Sequence, residues 1–219
     1  MNQNRRSDMV RSMNRIRRFS ALCVLLLTAT AGAAATLQGD TVPKLQGKAL
    51  IEELRSGGYV VFFRHGITGN EGEKDVAEAD IENCTIQRNL SDSGRAQVAA
   101  IGEAVRREKI PVGDVFASPY CRTMESARSI FGRATRSDAL YFAIHVDKDR
   151  RLEITDALRR MLATTPKPGT NTALISHTAN LREAADIWPK PEGVAHVFRP
   201  TSEGDFSYVG VIQPEDWLP

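Results

Sequence analysis

Gly58-Tyr59-Val60-Val61-Phe62-Phe63-Arg64-His65-Gly66 reads as a buried strand that runs straight into polar chemistry. Tyr59 to Phe63 is an unbroken block of β-branched and aromatic residues, the composition of a strand inside a sheet. Arg64, His65 and Gly66 then fall where that strand must end. In an α/β sheet, ligands bind in the crevice beyond the carboxyl ends of the strands. A guanidinium beside an imidazole at such a point suits an anionic, phosphate-bearing substrate, with the imidazole as nucleophile. Arg-His-Gly alone also arises by chance, so the reading depends on what the other strand ends carry.

The 219 residues suffice for one well-filled domain and are few for two. A hydrophobic content of 42% and a charged content of 26% are ordinary globular values. The net charge of +2 conceals an asymmetry. Residues 1–35 hold six arginines (Arg5, Arg6, Arg11, Arg15, Arg17 and Arg18) against Asp8, a net of +5, so the remainder carries 2 less 5, or −3. No basic stripe for nucleic acid is present in that remainder. The arginine-rich start leads into the apolar run Ala21 to Ala29 and then into Ala31-Gly32-Ala33-Ala34-Ala35. Charged, apolar and small-residue regions in that order predict a signal peptide over 1–35, cleaved after Ala33 or Ala35, and hence export to the periplasm or beyond. The apolar run is short for a bilayer span, so membrane association is expected only through an uncleaved signal. Cys23 lies inside the apolar run after Leu22 and is not read as a lipid-attachment site. Export leaves Cys84 and Cys121. An oxidising compartment permits a disulfide between them; two free buried thiols are the alternative, which spacing alone does not decide. The pair is too sparse for a zinc site.

Residues 36–46 read as a linker and 47–219 as the domain. Leu45, Leu50, Ile51 and Leu54 give a short amphipathic helix before Ser56-Gly57-Gly58. Residues 67–88, polar and acidic, form a long loop with at most a short helix, positioned as a lid or substrate-selecting wall. Ser91 is the natural N-cap of a helix running to about Glu108. A strand over Asp114–Ala117 ends at Ser118-Pro119 and is followed by a helix from Tyr120 to about Phe131. Leu140 to Val146 is read as a strand, and an amphipathic helix then runs through Leu162. Thr172–Ser176 is a central strand with His177 at its carboxyl end, and a helix follows over Asn180–Ile187. Val194–Phe198 and Phe206–Ile212 are late strands, antiparallel and at one edge. Alternating strands and helices predict an α/β fold, a three-layer α/β/α sandwich on a mostly parallel central sheet.

Three predicted strand ends carry chemistry: Arg64-His65, Ser118 leading to Arg122, and His177. Two arginines and two histidines make a site rich in donors for phosphate oxygens, and forked guanidinium groups match phosphate geometry. Four blocks carry a resemblance: Arg64-His65-Gly66 on its strand; Asn89-Leu90-Ser91-Asp92-Ser93-Gly94-Arg95-Ala96-Gln97; Ser118-Pro119-Tyr120-Cys121-Arg122-Thr123-Met124-Glu125-Ser126-Ala127; and Ile175-Ser176-His177. In order and spacing they resemble the histidine phosphatase superfamily, with its phosphoglycerate-mutase-like fold, over about residues 57–213. The resemblance implies that His65 becomes a phosphohistidine, that Arg64 and Arg122 hold the phosphoryl oxygens, and that His177 completes the pocket. It implies no metal and no cofactor. His145 and His196 are read as structural. Thr68 and Asn70 are candidate substrate-binding residues, and Glu125 is expected to orient Arg122 from one helical turn away.

The departures concern the leaving-group acid. Many members place an asparagine seven residues after the motif arginine, where this chain has Glu71, with Asn70 one position earlier. The acid-phosphatase branch has an aspartate after the second histidine, where this chain has Thr178. The proton donor is therefore unassigned, with Glu71, Glu73, Asp75 and Glu153 as candidates, each of which also reads as a solvated surface charge. The reading is an exported phosphatase acting on phosphate monoesters, whether sugar phosphates, envelope phosphate groups or small scavenged esters. Phosphoprotein phosphatase and mutase activity are the alternatives within the family, and a silent phosphate-binding module is the non-enzymatic one.

Overall fold

The protein is described here by a computed structural model covering residues 42–69 and 81–219. Residues 1–41, with the signal peptide, Cys23 and most of the predicted linker, lie outside the described residues, as do Asn70, Glu71, Glu73 and Asp75. In chain order the elements are β1 (Leu45–Gln46), α1 (Gly47–Glu53), β2 (Val60–Arg64), α2 (Asp92–Arg107), β3 (Val112–Ala117) and α3 (Cys121–Phe131). They continue with β4 (Thr135–Arg136), α4 (Lys148–Ala163), β5 (Asn171–Ser176), α5 (Thr178–Ala185), β6 (Ala195–Pro200) and β7 (Phe206–Ile212). The strands form one sheet in the order β1-β7-β6-β2-β5-β3-β4. Only β6 runs against its two neighbours, and every other pairing is parallel.

Side-chain alternation along β2 explains why its sequence is apolar throughout. Val61 and Phe63 face a core shared with Leu50 of α1, Val98 and Ile101 of α2, and Ile130 of α3. Val60 and Phe62 face the opposite layer, against Leu158 and Leu162 of α4 and Leu181 of α5. A strand covered on both faces cannot afford polar residues on either, which is the pattern of a parallel sheet between helix layers. Ser91 caps α2 as its sequence predicts, its Oγ accepting from Gly94 N at 3.0 Å.

Two expectations change. The first helix is preceded by strand pairing, since Leu45 and Gln46 add to the β7 edge and the helix begins at Gly47. Leu140 to Val146 is not a strand but two 3-10 turns, Asp138–Leu140 and Ala143–His145, and the sheet gains its edge strand at Thr135–Arg136 instead. The cause is visible in where its backbone is satisfied. Ser176 Oγ donates to Leu140 O (2.9 Å), Asn180 Nδ2 donates to Tyr141 O (2.7 Å), and Ala143 N donates to Asn180 Oδ1 (3.3 Å). Side chains from the end of β5 and from α5 thus take the bonds that a neighbouring strand would otherwise supply.

Cys84 and Cys121 are joined in a disulfide, with a Cα–Cα distance of 5.7 Å. The bridge clasps the segment before α2 to the first residue of α3. Cys121 N also donates to the buried Gln87 Oε1 at 2.9 Å. For two cysteines 37 residues apart, the chain-entropy relation predicts a loss of about 4 kcal/mol when the bridge is removed. The Cys84→Ala/Cys121→Ala protein should therefore melt about 10 °C lower than wild type. A calorimetric midpoint within about 2 °C of wild type would contradict that contribution.

Candidate active site

The carboxyl ends of β2, β3 and β5 converge. Arg64 closes β2 and His65 follows it; Ser118 follows β3; His177 follows β5 and stands at the N-terminus of α5. Arg122 enters from the first turn of α3. The structure thus brings together His65, Arg122 and His177, at 2%, 0% and 1% exposure, with Arg64 half-buried beside them. The two imidazole centroids lie 5.5 Å apart. The N-termini of α3 and α5 both open at the site and add positive potential to it.

The hydrogen bonds fix both histidine tautomers. His65 Nδ1 lies 2.9 Å from Gly66 O, and a carbonyl can only accept, so Nδ1 carries the proton and Nε2 holds its lone pair. His177 Nδ1 receives a bond from Arg122 Nη2 at 3.2 Å, which leaves Nε2–H to donate to Ser118 Oγ at 2.8 Å. Phe142 stacks on the His177 ring at 4.4 Å and Tyr120 meets it edge-on at 4.9 Å. The segment misread as a strand therefore supplies one wall of the site.

Burial pushes the His65 pKa well below 6.5, and the charges of Arg122, Arg64 and Arg88 push it further, against the opposing pull of Gly66 O. His177 is lowered well below 6.5 as well, first by burial and then by Arg122, His65, His145 and Arg88. Arg122 lies over the Tyr120 ring at 4.7 Å and its Nη1 donates to Arg88 O at 3.3 Å. Two further donors, Arg64 Nε and Arg88 Nε, are buried with no hydrogen-bond partner among the described residues. Buried guanidinium nitrogens are costly to leave unpaired, and their concentration around His65 fits an anion. Next to them opens a cavity of about 590 Å³ lined by Arg64, Thr68, Arg88, Lys190 and Glu192 among others.

Two residues of this site escaped the sequence. Arg88 sits one position before the helix-opening block beginning at Asn89, and nothing in its surroundings marks it as inward-facing. Glu192 follows Pro189 and Pro191, which read only as helix breakers; its carboxylate accepts from Arg64 Nη2 (3.1 Å) and from Thr68 Oγ1 and N (3.0 and 3.2 Å). Thr68 therefore binds a carboxylate of the protein. Glu153 lies on α4 and pairs with Arg150 at 2.9 Å, its side chain 66% exposed. Glu125 does not orient Arg122: it accepts from Arg95 Nε at 2.8 Å, because it points from α3 toward α2. Ser126 performs the local task instead, its Oγ donating to Arg122 O (2.7 Å) and accepting from Gly66 N (3.1 Å). His145 is exposed and pairs with Tyr120 Oη at 2.8 Å, and His196 is buried against Tyr208 Oη at 2.9 Å.

Comparison with known proteins bears on the fold and on the family. The histidine phosphatase superfamily (branch 1) matches residues 60–152, a span containing Arg64, His65, Arg88 and Arg122. Among solved structures, the protein histidine phosphatase SixA complexed with tungstate is 14% identical with a TM-score of 0.50, over 71% of this chain and 97% of that one. A mutant phosphoserine phosphatase from Entamoeba histolytica, in complex with phosphoserine, is 11% identical with a TM-score of 0.50, over 73% and 99% of the two chains. A mycobacterial glucosyl-3-phosphoglycerate phosphatase complexed with VO3 is 14% identical with a TM-score of 0.50, over 69% and 96%. At these identities the structures share the fold. No curated protein matches the sequence. The family match thus covers the strand ending at Arg64-His65 and the segments that carry Arg88 and Arg122, and the solved structures share the fold of its sheet, so this part of the chain is similar to the histidine phosphatase superfamily.

Proposed function

We propose that the chain is an exported phosphatase that hydrolyses phosphate monoesters through a phosphohistidine on His65. The observation that carries this reading is a buried, neutral imidazole whose Nε2 lone pair is available and around which Arg64, Arg88 and Arg122 gather. The Nε2 pair attacks phosphorus, the P–O bond breaks, and its electrons leave with the ester oxygen. Water then attacks the phosphorus, the N–P pair returns to Nε2, and phosphate departs with the proton that the water releases. Splitting the displacement in two replaces one hard step by two easier ones. Phosphoryl transfer demands mainly positioning and charge stabilisation, which fixed guanidinium groups supply. Of the candidate donors for the leaving oxygen, Glu153 lies on an exposed face of α4 paired with Arg150, and Glu71, Glu73 and Asp75 lie outside the described residues. Export is supported by the charged-then-apolar start of the chain and by the Cys84–Cys121 bridge in the domain, which suits an oxidising compartment.

The purified domain should release phosphate from an aryl phosphate, with chelator and without. His65→Ala should lower that rate by at least about 1000-fold, since removing the nucleophile leaves only binding and charge stabilisation. Retention of a tenth of wild-type turnover would overturn the assignment.

The same site sets a pH dependence. Burial is the first cause of the depressed pKa of His65, His177 and His196, the last held at about 4. On acidification the unfolded chain takes up these protons first, near 6.5, so stability is intact above that value and is lost as pH falls toward about 4. Catalysis, by contrast, needs only neutral His65, so kcat/KM should show no half-maximal point near 6.5. An acid limb centred at 6.5 in protein that remains folded would contradict the burial of the nucleophile.

A further inference from the structure

The turn between α5 and β6 is strapped to the nucleophile's strand. Gly193 N donates to His65 O (2.9 Å), Arg64 N donates to Val194 O (3.0 Å), Arg64 Nη1 donates to Pro189 O (3.3 Å), and Gln97 Nε2 donates to Glu192 O (3.0 Å). These bonds present the Glu192 carboxylate, 17% exposed, to Arg64 and place its Oε1 3.9 Å from His65 Nδ1. Both carboxylate oxygens are engaged by donors: Oε1 by Arg64 Nη2 and Thr68 Oγ1, Oε2 by Thr68 N. The groups facing it are a guanidinium, a hydroxyl, an amide and the protonated side of the nucleophile's ring.

We propose that Glu192 is the positioning residue of the phosphoryl pocket, fixing the fork of Arg64 and supplying the counter-charge that the phosphohistidine ring requires; this rests on His65 being the nucleophile. With Nη1 held by Pro189 O and Nη2 by Glu192, the guanidinium is oriented, and its buried Nε, without a partner among the described residues, is one of the donors left for a phosphoryl oxygen. When Nε2 gives its pair to phosphorus and the P–O pair leaves with the ester oxygen, the Nδ1 proton stays on the ring, donated to Gly66 O. The ring then bears a positive charge in a site already crowded with guanidinium groups. A carboxylate 3.9 Å from Nδ1 offsets that charge, and the departing phosphoryl group does not have to. Because its oxygens already accept three hydrogen bonds, Glu192 acts on the ring and on Arg64 rather than on the leaving oxygen.

The test compares wild type, Glu192→Gln and Glu192→Asp in the full domain, with an aryl phosphate and an alkyl phosphate as substrates. Glutamine keeps the shape and removes the charge; aspartate keeps the charge and shortens the reach. Glu192→Gln should lose kcat by about 10- to 100-fold, by the same factor for both esters. Aspartate should recover part of that loss, and both variants should melt within a few degrees of wild type. A loss confined to the alkyl ester would make Glu192 the proton donor and overturn the positioning role. So would a kcat within twofold of wild type, or an aspartate variant no better than glutamine. A fall in melting temperature that accounts for the lost activity would reduce Glu192 to a structural residue and sink the proposal as well. Absence of phosphate release by wild type would overturn the phosphatase reading itself, and the role of Glu192 with it.

Discussion

The attack proposed for His65 requires a neutral ring, and His65 stands buried with Arg64, Arg88 and Arg122 around it. Burial and three guanidinium groups act in the same direction, both opposing a proton on the ring. Keeping cations in such a place is the expensive part. Arg122 is fully buried, and the surroundings answer it with the Nδ1 of a neutral histidine, a backbone carbonyl and the face of Tyr120. Arg64 is answered by Glu192 and a carbonyl. His177 and Arg88 answer Arg122, and the turn of Pro189 and Glu192 answers Arg64, from segments remote in sequence, so the charge arrangement exists only when the sheet is assembled.

The fold supplies that assembly economically. Parallel strands end on one side, and helices α3 and α5 start there with their positive poles toward the site. Ser126 ties the backbone of Gly66 to that of Arg122, coupling the proposed nucleophile to a cation through one hydroxyl. The disulfide performs a related task one layer out. It fixes Cys121, the residue before Arg122, to a segment that reaches Arg88 four residues after Cys84. Both cations that flank the ring from this side are thereby held to each other covalently.

What could be read from the residues was whatever depended on local pattern. Continuous apolar runs gave β2 and β5, Ser91 gave the start of α2, and strand ends followed by Arg or His gave the four central side chains. The remainder depended on contacts remote in sequence. Glu192 meets Arg64 across 128 positions, and nothing around Pro189 and Pro191 foretells it. Arg88 becomes a site residue only because the bridge and Gln87 draw its segment against α3. Leu140 to Val146 has the composition of a strand, yet Ser176 and Asn180 take its carbonyls and turn it into the wall that carries Phe142. The leaving-group donor stayed undecided in the sequence, and of its candidates Glu153 lies on an exposed helix face in a pair with Arg150.

In the proposed reaction, phosphorus passes through the ring of His65. This is tested by mixing the domain with an aryl phosphate, quenching in alkali within a turnover, and mapping the phosphoryl group on peptides by mass spectrometry. One labelled residue, His65, is expected, with label that forms before free phosphate accumulates and decays as the substrate is exhausted. Label on another side chain, or steady turnover with no protein-bound phosphate at any time, would contradict it.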